Sequence, residues 1–300
     1  QKNKKYMSRC NPFRGMGVAL VTPFHEDGSL DEHSLESLLK FHLDSGTDFL
    51  CILGTTAETP CLFLQEQEKV MQIAQSVVGG RIPMLLGLGG NNTAAIIDRI
   101  SNTDLSAWDG LLIVTPYYNK PSQEGLYQHY RAIAEVSPLP VVLYNVPGRT
   151  GVNLEADTTL RIARDCQNVV AVKEASGKLE QIHNIIANAP AGFEVLSGDD
   201  GLTLDIIKDG GVGVISVLGN VYPAEFKAMV HAMQAGKVDE ANAMHNKFAD
   251  MYKLLAVDGN PSGVKCFLHN KGMIKHVLRL PLVAVRKETE QSIINFVEQF

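Results

Sequence analysis

A lysine at the end of an apolar segment is the residue with the clearest potential for chemistry. Lys173 directly follows the run Val169 to Val172. Among aliphatic side chains desolvation disfavours a charged ammonium, and a neutral amine is the nucleophile that condenses with a carbonyl group. The alternative is a structural lysine that extends to solvent or pairs with Glu174. Lys173 alone leaves both interpretations open, so its neighbours have to decide.

Tyr144 ends the apolar run that precedes the Lys173 run along the chain. If the two runs are adjacent strands they lie ~4.8 Å apart, which brings the phenol within reach of an adduct on Lys173. A tyrosine in that position can transfer protons during carbonyl chemistry. The alternative is a core tyrosine whose hydroxyl bonds to the backbone.

Two further groups have the chemistry to hold carboxylates. Thr55 and Thr56 follow Gly54 and offer hydroxyls together with the N–H groups of a turn. Arg149 follows a Pro-Gly turn and offers a planar guanidinium fork. A helix-capping threonine pair and a surface arginine are the alternatives. Together these groups favour a substrate that carries carboxylates.

Other chemistries lack their residues in this sequence. The chain has 9 histidines but neither an HExxH motif nor paired histidine ligands, so we expect no metal. The segment 87–92 resembles a dinucleotide loop but has Asn92 where the last glycine belongs. The run Gly198-Asp199-Asp200 has two carboxylates that would repel a phosphate. We therefore expect carbonyl chemistry through an amine, without a bound cofactor.

Eight short apolar runs alternate with helix-like segments, which predicts an α/β protein with a (β/α)8 TIM barrel. In such barrels the chemistry lies at the carboxyl ends of the strands. Helices are predicted over segments such as 65–78, 123–136 and 179–189, where apolar residues recur every three or four positions. The eight predicted strands are Gly17–Val21, Phe49–Leu53, Met84–Gly87, Gly110–Val114, Val141–Asn145, Val169–Glu174, Glu194–Ser197 and Gly213–Ser216.

The predicted organisation has three parts. Residues 1–14 form an N-terminal extension whose first six residues are of uncertain origin, and residues 15–223 form the barrel core. Residues 224–300 contain no strand-like run and are expected to supply the last barrel helix and an appended C-terminal helical region.

Composition limits the partners and the compartment. The net charge is −6 and no basic run has interleaved aromatics, which argues against nucleic acid. No apolar run approaches the ~20 residues of a membrane span, and the first residues lack the apolar core of a secretion signal. The 5 cysteines are scattered, which favours reduced thiols and a cytoplasmic protein.

The motifs at the predicted strand ends resemble those of the dihydrodipicolinate synthase family, also named 4-hydroxy-tetrahydrodipicolinate synthases. This family belongs to the class I pyruvate-dependent aldolases, which include N-acetylneuraminate lyase. The resemblance spans about residues 15–281 and implies condensation of pyruvate with aspartate 4-semialdehyde in lysine and diaminopimelate biosynthesis. The motifs are Gly-Thr-Thr-x-Glu, Thr-Pro-Tyr-Tyr-Asn-Lys-Pro-Ser-Gln-Glu-Gly-Leu-Tyr, Tyr-Asn-Val-Pro-x-Arg-Thr-Gly, Val-Lys-Glu-Ala and Ser-Gly-Asp-Asp.

The resemblance also implies a role for each matching residue. The Schiff base would form on Lys173. The other implied roles are a proton relay of Tyr144, Thr55 and Tyr118, pyruvate carboxylate binding by Thr56, semialdehyde carboxylate binding by Arg149, and pocket-lining backbone at Gly198 and Ile215. The tyrosine matching Tyr118 reaches a neighbouring subunit in the family. At least a homodimer is therefore implied, and a tetramer built as a dimer of dimers is usual.

Two other functions stay open at this point. Another pyruvate-dependent aldolase or lyase, acting on N-acetylneuraminate or a sugar acid, would share the lysine and the tyrosine. Arg149 is the discriminating residue, because the sialic acid lyases lack an arginine in this turn. The second of these hypotheses is a barrel that binds a keto acid without catalysis, since a fold alone does not prove activity.

Two departures from the family pattern stand out. Ala57 occupies a position where the family usually has glycine, so either its backbone is ordinary or the loop is reshaped. The second departure concerns the regulatory site for lysine. Asn91 and Tyr117 match that site, but Leu64, Gln67 and Ala95 replace its histidine and polar groups. We therefore predict weak or absent feedback by lysine, because the carboxylate that would face the amino group is missing.

Overall fold

The computed structural model describes residues 9–300, and eight parallel strands form its centre. Each strand pairs with the next in chain order, and the first pairs with the eighth, so the sheet closes into a barrel. The predicted fold class is thus confirmed. The strands are β1 Gly15–Ala19, β2 Phe49–Ile52, β3 Met84–Gly87, β4 Gly110–Val114, β5 Val141–Asn145, β6 Val169–Glu174, β7 Glu194–Ser197 and β8 Gly213–Ser216.

Thirteen α-helices connect or follow the strands in the described part of the chain. Polar side chains cap several of them; Ser122, for example, accepts the N–H of Gly125. None of the described helices has the length and apolar character required of a membrane span. The helices are α1 Glu32–Asp44, α2 Leu64–Val78, α3 Thr93–Asn102, α4 Gln123–Val136, α5 Pro147–Thr150, α6 Ala156–Asp165, α7 Leu179–Asn188, α8 Thr203–Lys208, α9 Pro223–Gln234, α10 Val238–Lys247, α11 Ala249–Val257, α12 Ser262–Asn270 and α13 Lys287–Gln299.

The side chains of each strand point alternately into the barrel and towards the helices, so the buried residues form an interior cluster and a cluster under the helices. On β5, Leu143 packs in the cluster that the helices cover, whereas Tyr144 belongs to the interior cluster. On β6, Val172 is the register partner of Leu143, and Lys173 is the partner of Tyr144. Successive residues of a strand face opposite sides, so Lys173 shares the interior face with Tyr144.

The last six predicted strands match the structure residue for residue, and the first two need correction. β1 begins at Gly15, which pairs with Gly213, and it ends two residues earlier than predicted. The reason is that the Val21 N–H bonds to the side chain of Asn220 instead of to a strand. β2 stops at Ile52 because Leu53 has a positive φ of 58°, which an extended strand cannot accommodate.

The region after β8 contains only helices and connections, as the sequence predicts. α9 packs against β1 and therefore completes the helical layer around the barrel. α10 to α13 follow it, and α12 and α13 pack on each other. The first eight residues of the predicted N-terminal extension lie outside the described residues.

Candidate active site

The candidate nucleophile lies in the barrel interior. Lys173 is 5% exposed, and its Nζ atom lies 4.1 Å from the centroid of the Tyr144 ring. Its other register partner is Leu196, another member of the interior cluster. In residues 9–300 no carboxylate forms an ion pair with its amine. The amine is therefore buried next to an aromatic face and available for reaction.

The structural alternative, a pair between Lys173 and Glu174, does not form. Glu174 is fully buried, and its carboxylate accepts the N–H of Ser176 at 2.8 Å. The amide groups of Asn145 and Gln181 also donate to its two oxygens. Adjacent strand residues face opposite sides, so Glu174 organises the outside of the barrel rather than the site.

Cys51 is a thiol whose pKa is affected by the charge of the candidate nucleophile, Lys173. It is fully buried on β2 in the interior cluster. Burial raises the pKa of the Cys51 thiol to about 11, although the positive charge of Lys173 acts in the opposite direction. A neutral thiol at Cys51 carries no negative charge that could form an ion pair with Lys173.

The turn after β2 contains both threonines; Thr55 lines the cavity, whereas Thr56 is buried. Thr55 to Ala57 form a single 3-10 turn, and positive φ values fall on Leu53 and Glu58 on either side of it. Ala57 therefore has an ordinary backbone, which is the first of the two possibilities that the sequence allows. Room for this path comes from Gly87, where an added Cβ would lie 2.1 Å from the Leu53 carbonyl oxygen.

A cavity of about 400 Å³ opens beside this turn. Thr55, Tyr144 and Arg149 all line it, so the hydroxyl, the phenol and the guanidinium converge on one space. The cavity also extends past Tyr117 to Arg99, a residue that the sequence does not single out. It is large enough for two small keto or aldehyde acids.

Arg149 lies on α5 with an exposed side chain, directly at this cavity. Its Nη2 atom donates to the main-chain oxygen of Asn260 at 3.0 Å. The side chain of Asn260 also reaches the site, because its Nδ2 atom donates to the Thr56 hydroxyl at 2.8 Å. Thr56 itself is buried. Asn260 thus contacts two of the predicted binding residues.

Gly198, directly after β7, lies close to the candidate nucleophile. A Cβ added at Gly198 would lie 3.1 Å from two side-chain carbons of Lys173, so a larger residue would displace the lysine. Ile215 on β8 is buried in the interior cluster. Neither residue lines the cavity, and their role as pocket-lining backbone stays a prediction.

The carboxylate of Asp200 lies against the backbone that follows β8. It accepts the N–H groups of Val217 and Leu218 at 3.0 and 2.8 Å. Burial raises the pKa of Asp200 to about 6, while these backbone bonds act in the opposite direction. The N–H groups of Val217 and Leu218 thus already have a partner, and the absence of a phosphate site stays a prediction.

Tyr118 is the predicted residue that the single chain does not bring to the site. Its side chain is 89% exposed and its φ is 75°, and it does not line the cavity. Asn91 and Tyr117 do lie together, since the Asn91 amide donates to the Tyr117 carbonyl oxygen at 3.1 Å. Within one chain the predicted proton relay therefore consists of Tyr144 and Thr55 alone.

A buried ion pair behind the threonine turn is absent from the sequence prediction. Lys265 on α12 and Glu58 are both fully buried, and their charged atoms lie 2.5 Å apart. Burial lowers the pKa of Lys265 to about 8, and the charge of Glu58 partly offsets this. The other Glu58 oxygen accepts the backbone N–H of Arg279 at 3.0 Å. Only the place of Glu58 in the Gly-Thr-Thr-x-Glu motif hints at this role.

One group of described residues, Cys266, His276 and Glu290, has donor atoms close enough together to suggest a metal. Two of these three side chains, those of Cys266 and His276, already have other partners. The Cys266 sulfur accepts a hydrogen bond from Asn270, and the His276 ring bonds to the Ser262 carbonyl oxygen. Burial raises the pKa of the Cys266 thiol to about 12, with a contribution from Glu290. The group belongs to the C-terminal helical region, and the prediction of metal-independent chemistry stays a prediction.

Comparison with known proteins agrees with this architecture. The chain matches the dihydrodipicolinate synthetase family over residues 12–300. It is 54% identical over 276 residues to a 4-hydroxy-tetrahydrodipicolinate synthase of Phocaeicola vulgatus, covering 92% of this chain and 93% of that protein.

Two solved structures are similar over nearly the whole chain. The dihydrodipicolinate synthase of Thermotoga maritima has a TM-score of 0.94 at 40% identity, with 96% of this chain and 99% of that chain covered. A chloride-inhibited synthase of Acinetobacter baumannii, solved in complex with pyruvate, has a TM-score of 0.92 at 38% identity and coverage of 95% and 98%.

Proposed function

Because the chain belongs to the dihydrodipicolinate synthetase family, we propose that it condenses pyruvate with L-aspartate 4-semialdehyde to give 4-hydroxy-tetrahydrodipicolinate. This lyase reaction belongs to lysine and diaminopimelate biosynthesis. The observation that carries the assignment to this site is the buried amine of Lys173 beside the Tyr144 ring. Tyr144 also lines a cavity together with Thr55 and Arg149.

The chemistry needs an amine, a proton route and no added cofactor. The Lys173 nitrogen attacks the keto carbon of pyruvate, water leaves, and an imine forms. Loss of a methyl proton gives an enamine, whose carbon attacks the aldehyde carbon of the semialdehyde while the aldehyde oxygen takes up a proton. The amine of the semialdehyde then displaces Lys173 and closes the ring.

Tyr144 and Thr55 move the protons in this scheme. The Tyr144 phenol is held against the amine by strand register, which suits transfer to the departing water. Thr55 lines the same cavity and can pass the proton towards solvent. Tyr144 lies on β5 and Thr55 on the 3-10 turn after β2, so the backbone holds both hydroxyls in place. Little reorganisation therefore accompanies each proton transfer.

The two carboxylates of the substrates have separate places. The Thr56 hydroxyl and its turn bind the carboxylate of pyruvate, deep in the mouth of the barrel. Arg149 binds the carboxylate of the semialdehyde from the exposed side of the cavity. The backbone at Gly198 and Ile215 completes the wall around the pyruvyl group.

The relay becomes complete only in an oligomer. Tyr118 is too exposed to act within its own chain, which supports a role in the site of a second copy. We therefore assign the third relay hydroxyl to the partner subunit's Tyr118, in at least a homodimer and, as the finer proposal, a tetramer of two such dimers. All five cysteines are free thiols, in keeping with a cytoplasmic enzyme.

A coupled turnover assay tests the substrate assignment. The purified protein is given pyruvate with aspartate 4-semialdehyde, and in separate reactions it is given N-acetylneuraminate or 4-hydroxy-2-oxoglutarate for cleavage. We expect turnover only in the reaction that contains pyruvate and aspartate 4-semialdehyde. Cleavage of either sugar-type acid at a comparable rate would instead assign the chain to another branch of the pyruvate aldolases.

A further inference from the structure

The connection between α11 and α12 brings one residue to both carboxylate-binding groups. The Nδ2 atom of Asn260 donates to the Thr56 hydroxyl at 2.8 Å, and its main-chain oxygen accepts from Arg149 at 3.0 Å. We infer that Asn260 is a positioning residue for pyruvate binding, which acts through the direction of the Thr56 hydroxyl proton. This inference rests on the proposed function.

The direction of the bond decides what Thr56 can offer a substrate. A threonine hydroxyl has one proton and two lone pairs. When the Asn260 amide donates to one lone pair, the Thr56 proton points away from Asn260 and is free to donate to a carboxylate. A hydroxyl that instead gave its proton to a neighbouring acceptor would turn a lone pair towards the substrate and repel it.

Burial makes this orientation effective. Thr56 is 3% exposed, so water does not compete freely for its hydroxyl. The remaining amide atom, Oδ1 of Asn260, is buried without a hydrogen-bond partner in the described part of the chain. An orphaned acceptor of this kind is costly, and it is retained where the amide serves another need.

The same residue also fixes the spacing between the two substrates. Its side chain holds the pyruvate end, and its main chain holds the guanidinium at the semialdehyde end. A change of the Asn260 side chain removes the first contact and leaves the second. The inference therefore predicts a selective effect on pyruvate, whereas a general structural role would affect both substrates and turnover alike.

Two variants and one control make the test specific. Asn260→Ala removes the donor, whereas Asn260→Asp keeps the shape but accepts the Thr56 proton and adds a negative charge. Asn188→Ala is the control, because Asn188 is exposed on α7 and its amide bonds only to Asn184. Circular dichroism and thermal melting show which variants are folded.

The measured quantity is the pyruvate concentration that gives half-maximal borohydride-trapped adduct on Lys173, alongside KM for each substrate. We expect an increase of about tenfold for Asn260→Ala, in line with one lost bond to a charged ligand. Asn260→Asp should show a further increase of about tenfold or more. KM for the semialdehyde and kcat at saturating pyruvate should change by less than about threefold.

The outcomes separate the inference from the proposed function. If wild-type protein forms an adduct on Lys173 but both Asn260 variants bind pyruvate like the control, Asn260 has no positioning role. If Asn260→Asp behaves like Asn260→Ala, the assigned bond direction is wrong. If Asn260→Ala does not fold, the isosteric aspartate variant still decides. Absence of any adduct in the wild type overturns the proposed function itself, and the inference with it.

Discussion

The Nζ atom of Lys173 lies 4.1 Å from the centroid of the Tyr144 ring, and the two residues are register partners on β6 and β5. This distance follows from the strand register, because partners on one face of a sheet point in the same direction. Any residue that replaces Tyr144 faces the same amine. The pair therefore allows the roles of amine and phenol to be tested separately.

Tyr144→Phe should lower kcat on the order of 10²-fold while pyruvate still reaches the cavity, since only the proton-transferring hydroxyl is lost. Tyr130→Phe is the matched control. Tyr130 is equally buried, but its hydroxyl donates to the Ile113 carbonyl oxygen in the helical layer. We expect the control to lose about 1 kcal/mol of stability and little activity. Equal kcat losses in the two variants would remove the catalytic role from Tyr144.

Arg149→Ala should raise KM for the semialdehyde by about tenfold or more and leave adduct formation with pyruvate intact. The reason is that Arg149 lines the cavity on its exposed side and does not contact Lys173. Arg149→Lys should recover little, because an ammonium cannot make the paired bonds of a guanidinium. Steady-state kinetics with each substrate varied in turn measures this. An unchanged KM for the semialdehyde in both variants argues against the assignment.

Lys265→Met should destabilise the protein by about 3–5 kcal/mol, because it leaves the fully buried Glu58 carboxylate unpaired. Adding Glu58→Gln should restore part of this loss. Lys253→Met is the control, since Lys253 pairs with Asp250 at the surface, and its loss should change stability by less than about 1 kcal/mol. Chemical denaturation gives the three values. If the single and double variants are equally unstable, the ion pair is not the cause.

His42 predicts a loss of stability in acid. Burial lowers its pKa from 6.5 to about 3, and its Nε2 atom is buried without a described partner. Below pH 6.5 the unfolded chain binds the proton that the folded chain excludes, so stability falls as the pH falls. The destabilisation caused by His42→Gln should thus be about 2 kcal/mol smaller at pH 5 than at pH 7.5. His33→Gln, at an exposed position of the same helix, is the control for replacing a histidine in α1, and urea unfolding at both pH values gives the free energies.

Lysine should inhibit weakly or not at all. Ala95 offers no carboxylate for an amino group, and the cavity near Tyr117 contains the half-buried guanidinium of Arg99, which bonds to Gln67. The positive charge of this guanidinium repels an ammonium group of lysine. Initial rates with lysine at millimolar concentration should equal those without it. Strong inhibition by lysine at concentrations below about 1 mM would contradict this prediction.

Much of the barrel and its interior site could be predicted from local sequence, because strands and the residues that end them are contiguous in the chain. Lys173 and Tyr144 are of this kind. The contacts of Asn260 with Thr56 and of Lys265 with Glu58 join positions about 200 residues apart. No local sequence pattern predicts either contact, because the two residues of each pair meet only when the C-terminal helical region packs behind the threonine turn. The early end of β1 likewise depends on a residue that is distant in the chain, because the side chain that bonds to the Val21 N–H is Asn220.

Borohydride reduction in the presence of pyruvate, followed by peptide mass spectrometry, tests most directly whether Lys173 forms the Schiff base. We expect one reduced pyruvyl group, on the peptide that contains Lys173, and none when Lys173→Arg protein is treated in the same way. Lys265 is the internal comparison, because it is buried but occupied by Glu58 and by the Val277 carbonyl oxygen. An adduct on Lys265, or no adduct at all, would contradict the assignment of Lys173 as the lysine that forms the Schiff base.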